Sequence, residues 1–351
     1  MTHAPTRREF IRTTAAAGLA SSVLAAAEPT SQPVAAYRSP TQGAKPIWAN
    51  LLHLSYNMWL DWAPPGDKRY SLYKPYLRFD RKLWNDLLGR MKSAGMNMVV
   101  IDLGDGVKYK SHPEIAVENA WSTAELRSEL ARVRDMGLEP IPKLNFSTTH
   151  DTWLGLYQRM VSTPKYYEVC GELIAEVCEL FDKPRFFHLG MDEETQPHQR
   201  DHLHVTVRQH DLWWHDLLWL VEQTEKAGPR AWIWSDYVWE HSELFFQRMP
   251  KSVLQSNWYY GIDFRPTNKA AKAYVDLAEH GYDQVPTGSN WSSPKNFGMT
   301  VEYCRKNIPA DRLFGFFQTI WNPTIEECRE RHEQAIDQVA AVIKASTTQR
   351  G

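Results

Sequence analysis

The sequence predicts an α/β fold, a (β/α)8 TIM barrel, and three observations carry that expectation. From residue 47 onward, short apolar segments alternate strictly with amphipathic ones. That pattern argues for parallel strands joined by helical crossovers. The unit repeats eight times in about 300 residues, which suits a closed barrel. No glycine-rich phosphate turn follows the first strand, so an open doubly wound sheet is the weaker alternative.

The elements follow in order. Residues 50–57 (Asn-Leu-Leu-His-Leu-Ser-Tyr-Asn) read as strand one, and 82–94 as a helix closed by Gly95. Residues 98–102 form strand two, and 122–135 its helix, stopped by Gly137. Strand three spans 140–146. Its helix spans 165–181, started by Thr163 as cap and Pro164 in the first turn. Strand four covers 185–190, followed by a long periodic stretch at 207–226 that ends at Gly228. Strand five covers 231–235, with a short helix at 242–248. Strand six covers 253–258, with a helix at 267–280. Strand seven covers 282–290, with a helix at 299–306. Strand eight covers 313–320, and the last helix 324–344.

Upstream of the barrel, Thr6-Arg7-Arg8-Glu9-Phe10-Ile11-Arg12 resembles a twin-arginine export signal. A weakly apolar run to Leu24 and the small residues Ala25-Ala26-Ala27 complete a signal peptide over 1–27. Residues 28–46, rich in Pro, Ser, Thr, Ala and Gln, read as a linker, which leaves 47–346 for the barrel. A periplasmic or secreted location is therefore expected, with no membrane span, because the apolar run is short and alanine-rich. Cys170 and Cys178 lie on one predicted helix, roughly 12 Å apart at the helical rise, and cannot bridge each other.

The net charge of −2 gives no reason to expect nucleic acid as a partner. No Cys-x-x-Cys occurs, and the histidine-rich stretch from His198 to His215 matches no recognised ligand pattern, so neither metal nor cofactor is expected. The 15 tryptophans are the outlier, because flat indole faces suit the C–H faces of sugar rings as well as a core. In a barrel of this kind the active site lies at the C-terminal ends of the strands. Those ends carry Asn57, Asp102 and Asp105, Asn145 and His150, and Asp192-Glu193-Glu194 in the first half. The second half adds Trp234 and Asp236, Trp258-Tyr259-Tyr260, Asn290-Trp291, and Gln318 with Trp321. Carboxylates ringed by amides and aromatics suit a neutral, polyhydroxylated ligand.

Strand four reads Phe186-Phe187-His188-Leu189-Gly190-Met191-Asp192-Glu193. A period of two sends Phe187, Leu189 and Met191 toward the helices and His188, Gly190 and Asp192 into the barrel. The run His188-x-Gly190-x-Asp192-Glu193 resembles the strand-four signature of the family-20 glycoside hydrolases, the β-N-acetylhexosaminidases. Ile141-Pro142-Lys143-Leu144-Asn145-Phe146 with His150 is similar to that family's strand-three segment, and Trp234-Ser235-Asp236 to its strand-five segment. The resemblance implies a retaining exo-glycosidase that uses the substrate's own 2-acetamido group as nucleophile. It makes Asp192 the residue that orients the acetamide and Glu193 the general acid and base. Strand-end position and the resemblance together give Asn57, Asn145, His150, His188, Trp234, Asp236, Trp258, Tyr259, Asn290, Trp291, Gln318 and Trp321 as substrate-binding candidates.

Adjacent acids are expected to raise one pKa, so that a proton is available near neutrality. The chain departs from the family at several points. No arginine stands at the end of strand one, where Asn57 and Trp59 are found. Asn145 replaces an aspartate, Met191 replaces a glycine, and the usual preceding β-domain is absent. The alternatives are a glycosidase pairing Glu193 with Asp236 or Asp105, a metal-dependent sugar isomerase or epimerase, and a carbohydrate-binding barrel without catalysis.

Overall fold

In the computed structural model, residues 45–348 are described. The export-signal segment and residues 28–44 of the linker lie outside them. Every residue of the eight barrel strands except Glu139 is buried, as expected where helices cover one face of a parallel sheet and the barrel interior the other. β1 is Ile47–His53, β2 Met98–Asp102, β3 Glu139–Lys143, β4 Phe186–His188, β5 Arg230–Trp234, β6 Leu254–Ser256, β7 Thr287–Ser289 and β8 Gly315–Thr319. All pair in parallel, in the spatial order β6-β5-β4-β3-β2-β1-β8-β7. The remaining seam, between β6 and β7, is closed by backbone bonds from Val285 N to Gln255 O (2.9 Å) and from Thr287 N to Asn257 O (2.9 Å). The result is a (β/α)8 barrel.

A helix follows each strand: α1 Arg81–Ser93, α2 Thr123–Asp135, α3 Pro164–Leu180, α4 His210–Ala227, α5 Tyr237–Arg248, α6 Lys269–Glu279, α7 Asn296–Asn307 and α8 Arg329–Thr348. Local chemistry sets several of their starts. Asp80 caps α1 by accepting from Leu83 N, Ser122 caps α2 through Glu125 N, and Thr163 with Pro164 opens α3. Among the described residues no helix is long and apolar enough to cross a membrane, and the four cysteines are free and buried.

Alternation along the strands separates two cores. Phe187, Leu189, Met191 and Ile233 pack outward with the helices, while Ile141, Phe186, Trp232, Trp234 and Phe317 fill the barrel interior. One cross-strand row inside the barrel is polar at four of its positions. Register pairs His53 with Asp102, Asp102 with Lys143, Lys143 with His188, and His188 with Trp232. Lys143 Nζ sits 2.5 Å from Asp102 Oδ2, and His53 Nδ1 3.5 Å from the same oxygen, all three side chains being buried. Lys143 is the one charged residue of the strand-three segment 140–146.

Several boundaries differ from the sequence reading. β1 starts earlier than 50 because Ile47 to Asn50 pair with Gly315 to Gln318 of β8, and it ends at His53, beyond which Ser55 and Asn57 donate to Asp105. β7 is confined to 287–289, since residues 284–285 join the sheet only through single bridges and backbone bonds. α5 begins at Tyr237 rather than 242 and is kinked at His241, whose φ of −131° breaks the helical run.

Candidate active site

β4 ends at His188, and the chain then turns sharply. Gly190, Met191 and Glu193 have φ of 73°, 73° and 55°, a concentration of left-handed backbone of the kind found at functional sites. Glycine is required at 190, where an added Cβ would lie 1.9 Å from Asn145 Oδ1. Met191 holds a conformation in which glycine is at ease, with its side chain buried in the outer core.

The loop after β3 holds this turn in place. Asn145 Oδ1 accepts from Ser147 N (3.0 Å) and Met191 N (3.2 Å), which aims its Nδ2 at Asp192 Oδ1 (2.8 Å). An aspartate at 145 would instead face Asp192 with like charge. Ser147 donates to Asp192 O, Thr149 to Glu193 O, and Glu193 N to Asp236 Oδ2 (2.9 Å). Glu194 turns away into a buried ion pair with Arg208 (2.7 Å), which also reaches Asp216. Gly190→Ala is therefore expected to cost upwards of about 2 kcal/mol, from backbone strain and overpacking, and to disturb Asp192. Denaturation midpoints and turnover check it, and an unchanged midpoint would show that the turn relaxes freely.

His150 lies against both acids, its Nε2 3.5 Å from Asp192 Oδ2 and 3.3 Å from Glu193 Oε2. His198, half-exposed on the loop after β4, approaches the other Glu193 oxygen at 3.5 Å. Burial works to raise the Glu193 pKa, but His150 and the His198 charge outweigh it and hold the carboxyl below its usual range. Burial also opposes protonation of His150, yet Asp192 and Glu193 prevail and its pKa lies above the ordinary histidine value. Burial raises Asp192 against the pull of His150. Burial, together with the Asp192 charge, pushes Asp236 up to about 7. The expectation that one acid is raised thus applies to Asp192 and Asp236, while Glu193 moves the other way, because two histidines flank it.

A cavity of about 510 Å³ opens over the pair. Trp258, Tyr259, Trp291 and Trp321 line it, as do Trp59, Trp239 and Tyr260, which were not among the binding candidates. Trp59 was visible in the run that ends strand one. Trp239 lies in the first turn of α5, ahead of the start that the sequence predicts at 242. Trp59 meets His150 edge to face at 4.7 Å and Trp321 at 5.9 Å.

Eight of the twelve binding candidates do not line this cavity. Asn145, His150 and Asp236 instead hold its two acids from behind, and the other five lie elsewhere. Trp234 is buried beneath it, stacked on Phe317 at 5.4 Å, and His188 lies deeper, 4.3 Å from Trp234. The amides are turned elsewhere. Asn57 donates to Asp105 and Lys74 O, Asn290 to Arg331 O and Gln334, and Gln318 to Gln338 outside the barrel. Gln318 points outward because Phe317 takes the interior position beside it. Asp105, buried and pushed up to about 7 chiefly by burial, is committed to Ser55 and Asn57.

His150, Asp192 and Glu193 bring donor atoms within 4.8 Å of one another, the one group of that kind among the described residues, and the stretch from His198 to His215 adds none.

No protein-family model matches the chain, and no curated protein matches it either. Solved structures do. A GH20 exo-β-N-acetylglucosaminidase from Vibrio harveyi in complex with N-acetylglucosamine is similar at TM-score 0.56 and 14% identity, over 84% of this chain and 54% of that one. A β-N-acetylhexosaminidase from Bacteroides fragilis is similar at TM-score 0.58 and 14% identity, over 85% of this chain and 65% of that one. Dispersin B is similar at TM-score 0.53 and 14% identity, over 85% of this chain and 99% of its own length. The chain spans about half to two-thirds of the first two. At this identity the likeness establishes the barrel fold.

Proposed function

We propose that this chain is an exported, retaining β-N-acetylhexosaminidase-like glycosidase, working through the substrate's 2-acetamido group. The observation that carries the reading is the turn after β4. It sets Asp192 and Glu193 side by side at the base of an aromatic cavity, with His150 against both. Names of similar barrels support it, since they belong to enzymes that act on N-acetylhexosamine.

Asp192 offers Oδ2, the oxygen not taken by Asn145, to the acetamide N–H. The acetamide oxygen then attacks C1 as the bond from C1 to the leaving oxygen breaks, and the cyclic oxazolinium forms. Glu193 delivers a proton to the leaving oxygen and afterwards takes one from the water that reopens the ring. The proton is held by the Glu193–His150 pair, so it is the pair that titrates. The indoles of Trp258 and Trp321 pack against the sugar's C–H faces.

Because the pair keeps its proton until pH exceeds the raised His150 value, the basic limb of the kcat/KM profile is expected above about pH 6.5, the ordinary histidine value. A profile of an aryl β-N-acetylglucosaminide from pH 4 to 9 tests it, and a basic limb below pH 6 would contradict the pairing. A second reading rests on the same three donors. Isomerisation or epimerisation of a free sugar that needs added divalent metal and is lost in Glu193→Gln, with no glycoside hydrolysed by the wild-type chain, would favour the isomerase alternative.

A further inference from the structure

We infer that the site makes little use of the sugar's hydroxyls beyond C2, so that 2-acetamido sugars deoxygenated or substituted at O4 are processed about as well as the parent. The inference rests on the glycosidase reading, in which Glu193 places C1 and Asp192 places the C2 substituent. The remaining hydroxyls then project away from the two acids, toward the walls of the cavity.

Those walls are aromatic, and their polar atoms are already engaged. Trp258 Nε1 donates to Asp236 Oδ1 (3.3 Å), and Trp239 Nε1 to Asn257 Oδ1 (2.8 Å). Trp321 Nε1 donates to the Tyr260 hydroxyl (3.0 Å), which also accepts from Thr319. The Tyr259 hydroxyl accepts from Asp263 N (3.2 Å). What is left to a ligand is chiefly one O–H from each phenol, because the indole N–H of Trp59 is buried out of reach of the cavity.

Sugar hydroxyls also need acceptors, and beyond the two acids the side chains of the cavity lining offer only the phenol oxygens and Ser292 on the exposed lip, with no carboxylate or amide oxygen. The side chains that commonly meet both needs are absent from the lining. No arginine or lysine lines it, and Asn57, Asn290 and Gln318 are turned to other partners. A hydroxyl brought here loses water without a matching exchange, whereas a C–H or methyl group meets indole faces. Trp291, 56% exposed at the rim, leaves the cavity open to solvent and gives a substituent room.

The test compares 4-nitrophenyl β-N-acetylglucosaminide with its 4-deoxy and 4-O-methyl analogues on the wild-type chain. The 4-deoxy compound is smaller than the parent, so sterics cannot mask the result. Its kcat/KM is expected within tenfold of the parent, and the 4-O-methyl compound is expected to be turned over too. A site built to hydrogen-bond a hydroxyl rejects the analogue lacking it by about 10⁴-fold or more. A loss above tenfold for the 4-deoxy compound overturns the inference while leaving the glycosidase reading in place. If the folded chain fails to hydrolyse the parent, that reading itself falls, and this inference with it.

Discussion

Replacing Glu193 with glutamine is expected to lower kcat on β-N-acetylglucosaminides by about 10²–10⁴-fold, the usual contribution of a positioned acid and base. KM should change little, because the amide keeps the size of the side chain and the backbone N–H stays anchored on Asp236. The loss should depend on the leaving group. An acidic aryl alcohol leaves with little protonation, so its loss should be smaller than that of an alkyl glycoside or a disaccharide. His150 should also become easier to deprotonate, because one of the two charges holding its proton is gone. Steady-state kinetics across leaving groups, with a thermal melt to confirm folding, check this. Unchanged turnover would remove Glu193 from the chemistry.

Lys143→Met is expected to cost about 3–5 kcal/mol, because it strands the Asp102 carboxylate inside the barrel without its cation. That is a large part of the roughly 5–15 kcal/mol by which domains are stable. Burial acts to raise the Asp102 pKa, but Lys143 and His53 outweigh it and hold it below its usual range. A lowered pKa in the folded state stabilises above the unfolded value, about 3.9, and that contribution is lost as pH falls through the folded value. In the variant, burial is opposed only by His53 and the pKa rises, so the deficit should be largest at neutral pH and shrink toward pH 4. Urea denaturation at several pH values measures this, and a second change, Asp102→Leu, should restore much of the loss. A deficit below about 1 kcal/mol at pH 7 would mean that water or another group replaces the lysine.

Much of the fold was legible because helical and strand periods differ and glycines mark the stops. Strand two was read at 98–102, the residues it occupies. The outward set Phe187, Leu189 and Met191 followed from a period of two. Side-chain direction failed where both faces are apolar. In Phe316-Phe317-Gln318, nothing in the pattern says which phenylalanine points inward, and Gln318 was placed in the mouth when it faces α8. Asn57 and Asn290 were misread because a strand end gives a neighbourhood, not an aim.

Sequence alone determined the barrel, the position of Asp192-Glu193 at its mouth, and the aromatic character around them, since these depend on local period and chain order. Tertiary structure decided what those residues meet. The register that sets Lys143 beside Asp102 is a slide between two successive strands, which the pattern along either strand does not fix. Placing His150 and His198 on either side of Glu193 brings together two different loops. Adjacent acids by themselves suggested that one would hold its proton. Which one depends on through-space charge and burial, and those exist only once the loops are folded against each other.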